Sequence, residues 1–364
     1  MNDAQSRISA AIAAFARGEL VIVTDDDDRE NEGDLICAAA HCTPEKMAFI
    51  IRNCCGIVCA PLAPEEAQRL HLEPMVALNE APLGTAFTVS VDVRHGLTTG
   101  ISAEERTNTV RALANGNRGA PDFVRPGHVF PLVAKVGGVL MRSGHTEACV
   151  DLCRLAGLPP VGVLAELMND DGTVMRGDKL AAFAARERLT RISIAELIAY
   201  RQVRDKLIER AGEFPVETEI GALTGYAFRT PFEPVYHMAF VHGRIGDGKN
   251  VLTRLHRADI ITDVFGGAKT IHRALARFRQ EGRGVLVVLR DGTAGVPVVS
   301  IPQAGDTASG EARTRQWREV GVGAQILRDL GVSSIRLLTS RRPTTYVGLS
   351  GFGIEIVGTE PVDG

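Results

Sequence analysis

The second half of this chain has no cysteine: all seven (Cys37, Cys42, Cys54, Cys55, Cys59, Cys149, Cys153) precede residue 154. An odd number of thiols without a secretion signal argues against a disulfide scaffold and for a reducing compartment. No pair of separated C-x-x-C motifs occurs, so zinc has little framework, and most of the thiols read as small buried hydrophobes. No apolar run approaches the ~20 residues that a membrane helix requires. The N-terminus, Met1-Asn2-Asp3-Ala4-Gln5, lacks the basic start and apolar stretch of a signal peptide. The expectation is a cytoplasmic protein with no membrane partner. An excess of basic charge is also missing. Lys and Arg number 41 against 44 Asp and Glu, a net charge of −3, which offers no basic face to nucleic acid. No Walker motif occurs.

What the chain does have is an acidic turn. Thr24-Asp25-Asp26-Asp27-Asp28-Arg29-Glu30-Asn31-Glu32-Gly33-Asp34 places seven carboxylates within ten residues, directly after Leu20-Val21-Ile22-Val23, which reads as a short buried strand. Carboxylates this close are costly to keep ionised unless a cation, an arginine or solvent offsets the repulsion. Two readings stand: a divalent-metal site with acid/base chemistry, or a solvated acidic loop. An EF-hand is excluded by spacing. Counting from Asp28 puts Ala39 at position twelve, where glutamate belongs, and counting from Asp25 puts Glu30 where glycine belongs.

With 364 residues, 45% of them hydrophobic and 23% charged, the chain can build two domains with proper cores. Residues 5–18 read as an amphipathic helix (Ile8, Ile12, Phe15), and Thr43-Pro44-Glu45 as the capped start of a helix over 44–53. Strands are expected at 56–60, 86–92, 130–134 and 162–167. Ser102-Ala103-Glu104-Glu105 carries the capping-box pattern of a helix reaching Ala114, and a further helix is expected from Glu147 to Ala156. Alternating strands and helices predict an α/β (α+β) fold of two domains, each a mixed sheet with flanking helices. The helix-forming stretch 192–211 suggests a junction on a helical linker near 205–212, giving domains 1–205 and 206–364. Beyond it, strands are expected at 226–228, 235–241 and 284–289 and a helix at 268–280. The polar segment Pro302 to Arg313 reads as a mobile loop.

Three further clusters can carry chemistry. Arg125-Pro126-Gly127-His128 reads as a loop presenting a cation and an imidazole. Gly137-Gly138 leads through a short apolar strand to Arg142-Ser143-Gly144-His145-Thr146-Glu147, where free N–H groups at a helix entry, with Arg142 and Thr146, suit a phosphate. Glu166 ends an apolar strand before Asn169-Asp170-Asp171-Gly172. Each also has a plain reading as a helix entry, strand end or turn. With the acidic turn, they suggest a metal-dependent site for an anionic substrate.

In this order the residues closely resemble the 3,4-dihydroxy-2-butanone 4-phosphate synthase family of riboflavin biosynthesis. The segments are Asp25 to Asp34, Gly56-Ile57-Val58-Cys59, Thr98 to Ser102, Arg106 with Thr109-Val110-Arg111, Arg125 to Pro131, Gly137 to Glu147, and Glu166 with Asn169 to Gly172, across residues 5–203. The resemblance implies conversion of ribulose 5-phosphate to 3,4-dihydroxy-2-butanone 4-phosphate and formate with Mg2+, for which Mn2+ can substitute. It also implies a homodimer with sites at the subunit interface. Carried over by position, Glu30 and His145 are the metal ligands. Arg29, Arg142, Ser143, Gly144 and Thr146 hold the phosphate or the substrate chain. Glu32, Asp34, Glu166 and His128 bind hydroxyls and move protons, Cys59 and Thr109 line the site, and Cys59 is counted with the catalytic residues. Which carboxylate is acid and which is base stays open.

The second half resembles GTP cyclohydrolase II through Gly243 to Gly248, Val251 to His256, Asp263 to Gly266, Glu281 to Val287 and Gly321 to Gly331. That family holds zinc with three cysteines, and the corresponding positions here are Asp259, Thr270 and His272. Its nucleotide-binding stretch is replaced by Asp291-Gly292-Thr293-Ala294-Gly295. Arg318 remains, whereas a nearby tyrosine position is Val320. No zinc is expected, and the half is expected to be a catalytically silent packing or regulatory module. The alternative is a bifunctional enzyme.

Overall fold

Val21, Ile22 and Val23 are fully buried, and in the computed structural model they form a strand, β1 (Val21–Thr24). The structure describes residues 3–25, 30–81, 83–231, 235–290, 321–339 and 354–362. Arg29, the stretch Asp291 to Gly295, the segment Pro302 to Arg313, Arg318 and Val320 lie outside them. Contacts divide the chain into two compact units, with the boundary between Arg201 and Gln202. Among the described residues each is a seven-stranded mixed sheet with flanking helices, as the strand and helix alternation predicts.

In the first unit β1 pairs antiparallel with β2 (Gly33–Ala38), so the acidic turn is a hairpin loop whose last residues, Gly33 and Asp34, already belong to the second strand. The other strands are β3 (Cys59–Leu62), β4 (Val91–Val93), β5 (Phe123–Val133), β6 (Gly162–Glu166) and β7 (Thr190–Ser193), and the sheet order is β4-β5-β3-β6-β2-β1-β7. All six residues of β2 are buried, which fits the apolar run Leu35-Ile36-Cys37-Ala38 after Asp34 and the central place of the strand in the sheet. Ile22, Leu35, Met47, Ile50, Val110, Phe123 and Leu180 belong to its main core cluster. The helix Ala103–Leu113 starts with both halves of the capping box between Ser102 and Glu105.

Three local expectations fail. Residues 125–128 are not a loop but a bulge inside β5: β4 pairs Val91 with Val129 and Asp92 with Val124, leaving the four residues between without β4 partners. Proline cannot donate to a ladder, and a Cβ on Gly127 would lie 2.0 Å from the Val91 carbonyl carbon. The stretch after Gly137 is a short 3-10 turn, Gly138–Leu140, not a strand. Both glycines have positive φ there, and a Cβ on Gly138 would meet the Asp151 carboxylate at 2.0 Å. The helix Ile194–Arg204 also stops earlier than its composition suggests, and by Glu209 the chain is extended.

The second unit orders its strands β14-β13-β11-β12-β10-β9-β8: β8 (Glu209–Thr218), β9 (Gly221–Arg229), β10 (Tyr236–His242), β11 (Val251–Arg257), β12 (Gly284–Leu289), β13 (Ser334–Thr339) and β14 (Glu355–Pro361). β8, β9, β10 and β12 run antiparallel, while β11, β12, β13 and β14 pair in parallel. Phe278, from the helix Lys269–Glu281, packs into its core with Leu252 and Leu286. No helix among the described residues is long and apolar enough to cross a membrane.

Candidate active site and metal centre

The hairpin loop between β1 and β2 is shaped by Asp25. Its two carboxylate oxygens accept the backbone N–H groups of Glu30 and Glu32, each at 2.9 Å. Asn31 adopts a positive φ between them, a conformation that asparagine tolerates better than most residues. The loop therefore carries two glutamates on a fixed backbone, and Arg176 adds a hydrogen bond to the Glu30 carbonyl at 3.1 Å. Two residues beyond Glu32, Asp34 stands in β2 opposite Glu166 of β6.

The helix His145–Leu155 packs against β2, β3 and β6 and brings its first residue to this loop. His145 Nδ1 is 3.6 Å from Glu30 Oε2 and 3.9 Å from Asp34 Oδ2. Two donor groups result, Asp25–Glu30–His145 and Glu32–Asp34–His145, each with one ligand atom per residue within 4.8 Å of the others. Among the described residues these are the only such groups. Asp34 Oδ1 and His145 Nε2 are buried with no hydrogen-bond partner. Buried polar atoms are rarely left so, and each needs an explanation.

Charge in the cluster is frustrated. Burial, then the neighbouring Glu30 charge, pushes the Glu32 carboxyl up to about 7. Burial also holds Asp34 well above the ordinary carboxylate range, with His145 opposing and Glu166 adding to the rise. For His145 burial favours the neutral ring, but Asp34 and Glu30 outweigh it and raise the imidazole to about 9. The cluster thus retains protons that isolated side chains would shed, because several carboxyl groups share one desolvated volume. A hard divalent cation fits this donor set of carboxylate oxygens and one imidazole, and no thiolate competes for it.

Cys59 is buried at the start of β3, next to Leu164 of β6. Burial, reinforced by Glu166 and Asp34, raises its thiol far above the usual range. Arg142 is already well employed: it reaches Glu147 at 2.7 Å, and the Leu83 carbonyl and Thr85 hydroxyl at 3.1 Å each. Gly144 is the N-cap of the following helix, and a Cβ there would meet Arg142 Nη1 at 2.2 Å. Ser143 precedes it, and Thr146 is buried in the first turn.

His128 and Thr109 belong to another cluster. His128 sits on the β5 bulge with its ring Nδ1 2.7 Å from Asp92 Oδ2 and its side chain 42% exposed. The Thr109 hydroxyl accepts from the Val93 N–H at 3.0 Å and donates to the Glu105 carbonyl at 3.0 Å. Within one chain, then, Glu30, Glu32, Asp34, His145, Glu166 and Cys59 come together, while His128 and Thr109 surround β4. Sequence reasoning passed over three partners: Asp25 as the loop's staple, Asp92 as the anchor of His128, and Cys55, whose thiol reaches Glu166. Only Asp25 left a signal, as a member of the acidic run.

In the second unit the zinc-equivalent positions have other occupations. His272 pairs with Glu219 at 2.6 Å on the surface. The Asp259 carboxylate accepts the N–H groups of Ile261 and Thr262 and the Thr262 hydroxyl, and these hydrogen bonds, Thr262's first, keep its pKa low.

Residues 9–200 match the family model of 3,4-dihydroxy-2-butanone 4-phosphate synthase, and residues 209–361 that of GTP cyclohydrolase II. The chain is 46% identical to a bifunctional riboflavin biosynthesis protein, RIBA 1, chloroplastic, of Arabidopsis thaliana, covering 98% of this chain and 69% of that protein. It is 45% identical to the monofunctional RIBA 2 of the same plant, over 99% and 78% of the two chains. It is 44% identical to RibBA of Nocardia farcinica, over 98% and 90%. Among solved structures, a two-domain 3,4-dihydroxy-2-butanone 4-phosphate synthase, RibBX, from A. baumannii superposes with a TM-score of 0.81 at 36% identity, covering 96% of this chain and 99% of that one. A synthase solved with two magnesium ions matches with a TM-score of 0.53 at 48% identity, over 54% of this chain and 96% of that one. This chain belongs to the 3,4-dihydroxy-2-butanone 4-phosphate synthase family, lyases of riboflavin biosynthesis, and carries a C-terminal domain of the GTP cyclohydrolase II family.

Proposed function

We propose that the first unit converts ribulose 5-phosphate into 3,4-dihydroxy-2-butanone 4-phosphate and formate with a divalent cation, magnesium by preference, held by Glu30 and His145. The observation that carries this reading is the approach of Glu30 to His145 at 3.6 Å beside two buried, unpartnered atoms, Asp34 Oδ1 and His145 Nε2. A related synthase solved with two magnesium ions supports it.

Bound magnesium supplies Lewis-acid polarisation of adjacent carbonyl and hydroxyl oxygens of the substrate. The chain's own residues do the rest. Asp34 and Glu166, facing each other across β2 and β6, bind substrate hydroxyls and relay protons at their carboxylate oxygens. Glu32, held by the Asp25 staple, adds a third carboxylate to the same wall. Cys59 contributes a neutral apolar surface. Ser143, Gly144 and Thr146, at the start of the helix, face the phosphate with N–H groups and a hydroxyl, with Arg29 and Arg142 supplying charge. His128 lies in the separate Asp92 cluster, so a homodimer in which a second copy brings it to the metal cluster accounts for both groups. The protein acts in the cytoplasm in this reading.

The C-terminal domain, residues 206–364, is proposed to be catalytically silent and to serve packing or regulation. Residues 154–364 contain no cysteine, and a thiolate zinc site cannot form without sulfur. Relatives named as bifunctional favour the alternative, in which this half also opens GTP. Formate and the four-carbon phosphate, assayed on purified chain with magnesium and with EDTA, test the first reading; no formate would end it. Zinc content and pyrophosphate release from GTP decide the second, and stoichiometric zinc with turnover would overturn the silent assignment.

A further inference from the structure

Residues 53–58 run beside the end of β6 and are pinned at many points. The Cys55 N–H donates to the Glu166 carbonyl at 2.9 Å, the Met168 N–H donates to the Asn53 carbonyl at 3.0 Å, and Cys54 bridges to Leu167. From the other side, Arg106 Nη1 donates to the Gly56 carbonyl at 3.1 Å and the Phe130 N–H to the Val58 carbonyl at 3.0 Å. The backbone of this segment is therefore held in place. Cys55 uses its fixed place to bring Sγ to 2.8 Å from Glu166 Oε2.

We infer that Cys55 is a positioning residue for the lyase reaction: its thiol donates to one oxygen of Glu166 and turns the other oxygen of that carboxylate toward the substrate. The inference rests on Glu166 as the proton-relaying carboxylate of the proposed reaction. The plain alternative, a cysteine that merely fills space, has little to recommend it, because Cys55 lies at the surface rather than in the core. Partial burial and the Glu166 contact push the Cys55 thiol up to about 12, and the Ile57 carbonyl, its other acceptor, lies farther away at 3.7 Å. A thiol is a weak donor, but a pre-set backbone removes much of the ordering cost of this bond. With no donor, the carboxylate is free to rotate away from the reacting atoms, and orientation is lost rather than affinity.

The test compares Cys55→Ala and Cys55→Ser in the full chain, with kcat and KM measured for ribulose 5-phosphate and magnesium saturating. Removing a hydrogen bond to a charged group is expected to lower kcat about tenfold in Cys55→Ala with KM within about twofold, and the serine hydroxyl is expected to restore kcat to within about threefold. If alanine prevents folding, Cys55→Thr against Cys55→Val gives the same contrast of hydroxyl and methyl at constant shape. Wild-type kcat in the alanine variant, a loss confined to KM, or equal loss in serine and alanine overturns the inference. Glu166→Gln, run in parallel, separates the two levels. An active Glu166→Gln removes the reading on which the inference rests, whereas an inactive one beside an unaffected Cys55→Ala overturns the inference alone.

Discussion

In the first unit His145 approaches two carboxylates at 3.6 and 3.9 Å and leaves its Nε2 without a partner, whereas in the second His272 makes a surface pair with Glu219 at 2.6 Å. The acidic residues differ in the same way. Asp34 is buried and half satisfied, while Asp259 spends its oxygens on its own turn. A binding site keeps polar atoms buried and unsatisfied until a ligand arrives, and the fold bears that cost. Both units offer a histidine and an aspartate, so the difference lies in how those side chains are satisfied and not in residue identity.

The comparison breaks most readily at the cluster itself. Glu30→Ala or His145→Ala is expected to cut formate release by about 10³-fold, the loss of several kcal/mol of charge stabilisation, with EDTA acting equally on the wild type. Residual turnover near wild type in either variant would return the acidic turn to a solvated loop. Next in size is the dependence of metal affinity on pH. His145, raised to about 9, must lose a proton before it can bind, so below that pH the affinity should rise about tenfold per unit of pH and level off above it. Titration calorimetry with Mn2+ in two buffers of different ionisation enthalpy reads both the affinity and the proton released; a flat profile from pH 6 to 8 would contradict the assignment.

A smaller effect sharpens the role of the loop. Asp25→Ala removes two backbone hydrogen bonds to a charged acceptor and should weaken metal binding about tenfold, with the protein still folded by circular dichroism. Unchanged affinity would mean that the loop holds its shape without the staple. The smallest effect is expected in the second unit. His272→Ala and Asp259→Ala alter only surface hydrogen bonds, so formate turnover should stay within about twofold of wild type. Zinc measured by mass spectrometry should remain well below one per chain; bound zinc lost in either variant would make the second unit a metal site after all.

Much of the architecture was readable because its signals are local. The capping box at Ser102, the apolar strand Gly284–Leu289 and the buried run Leu20 to Val23 follow from patterns within a few residues, and all three are present. Local reasoning failed where a neighbour across the sheet decides. Proline and glycine at 126 and 127 look like a loop, but β4 pairs on both sides of them and makes a bulge. Gly137-Gly138 looks like a hinge into a strand, but Asp151 and the two positive φ values impose a tight turn, with Arg201 donating to both Asp151 and the Gly137 carbonyl. The helix expected to continue through Ala211 gives way because β8 has a partner in β9.

Residue identity alone settles the chemistry on offer: an acidic hairpin loop, a helix-entry histidine, and a second half without the sulfur that a thiolate zinc site needs. Those are properties of composition and order, independent of how the chain packs. Packing decides which of them meet. Pairing β2 with β6 sets Asp34 against Glu166, and docking the helix from His145 onto that sheet closes the cluster and strands two polar atoms there. Separation along the chain carries no information about such encounters, because burial and strand register, not sequence spacing, determine which charges share a desolvated volume.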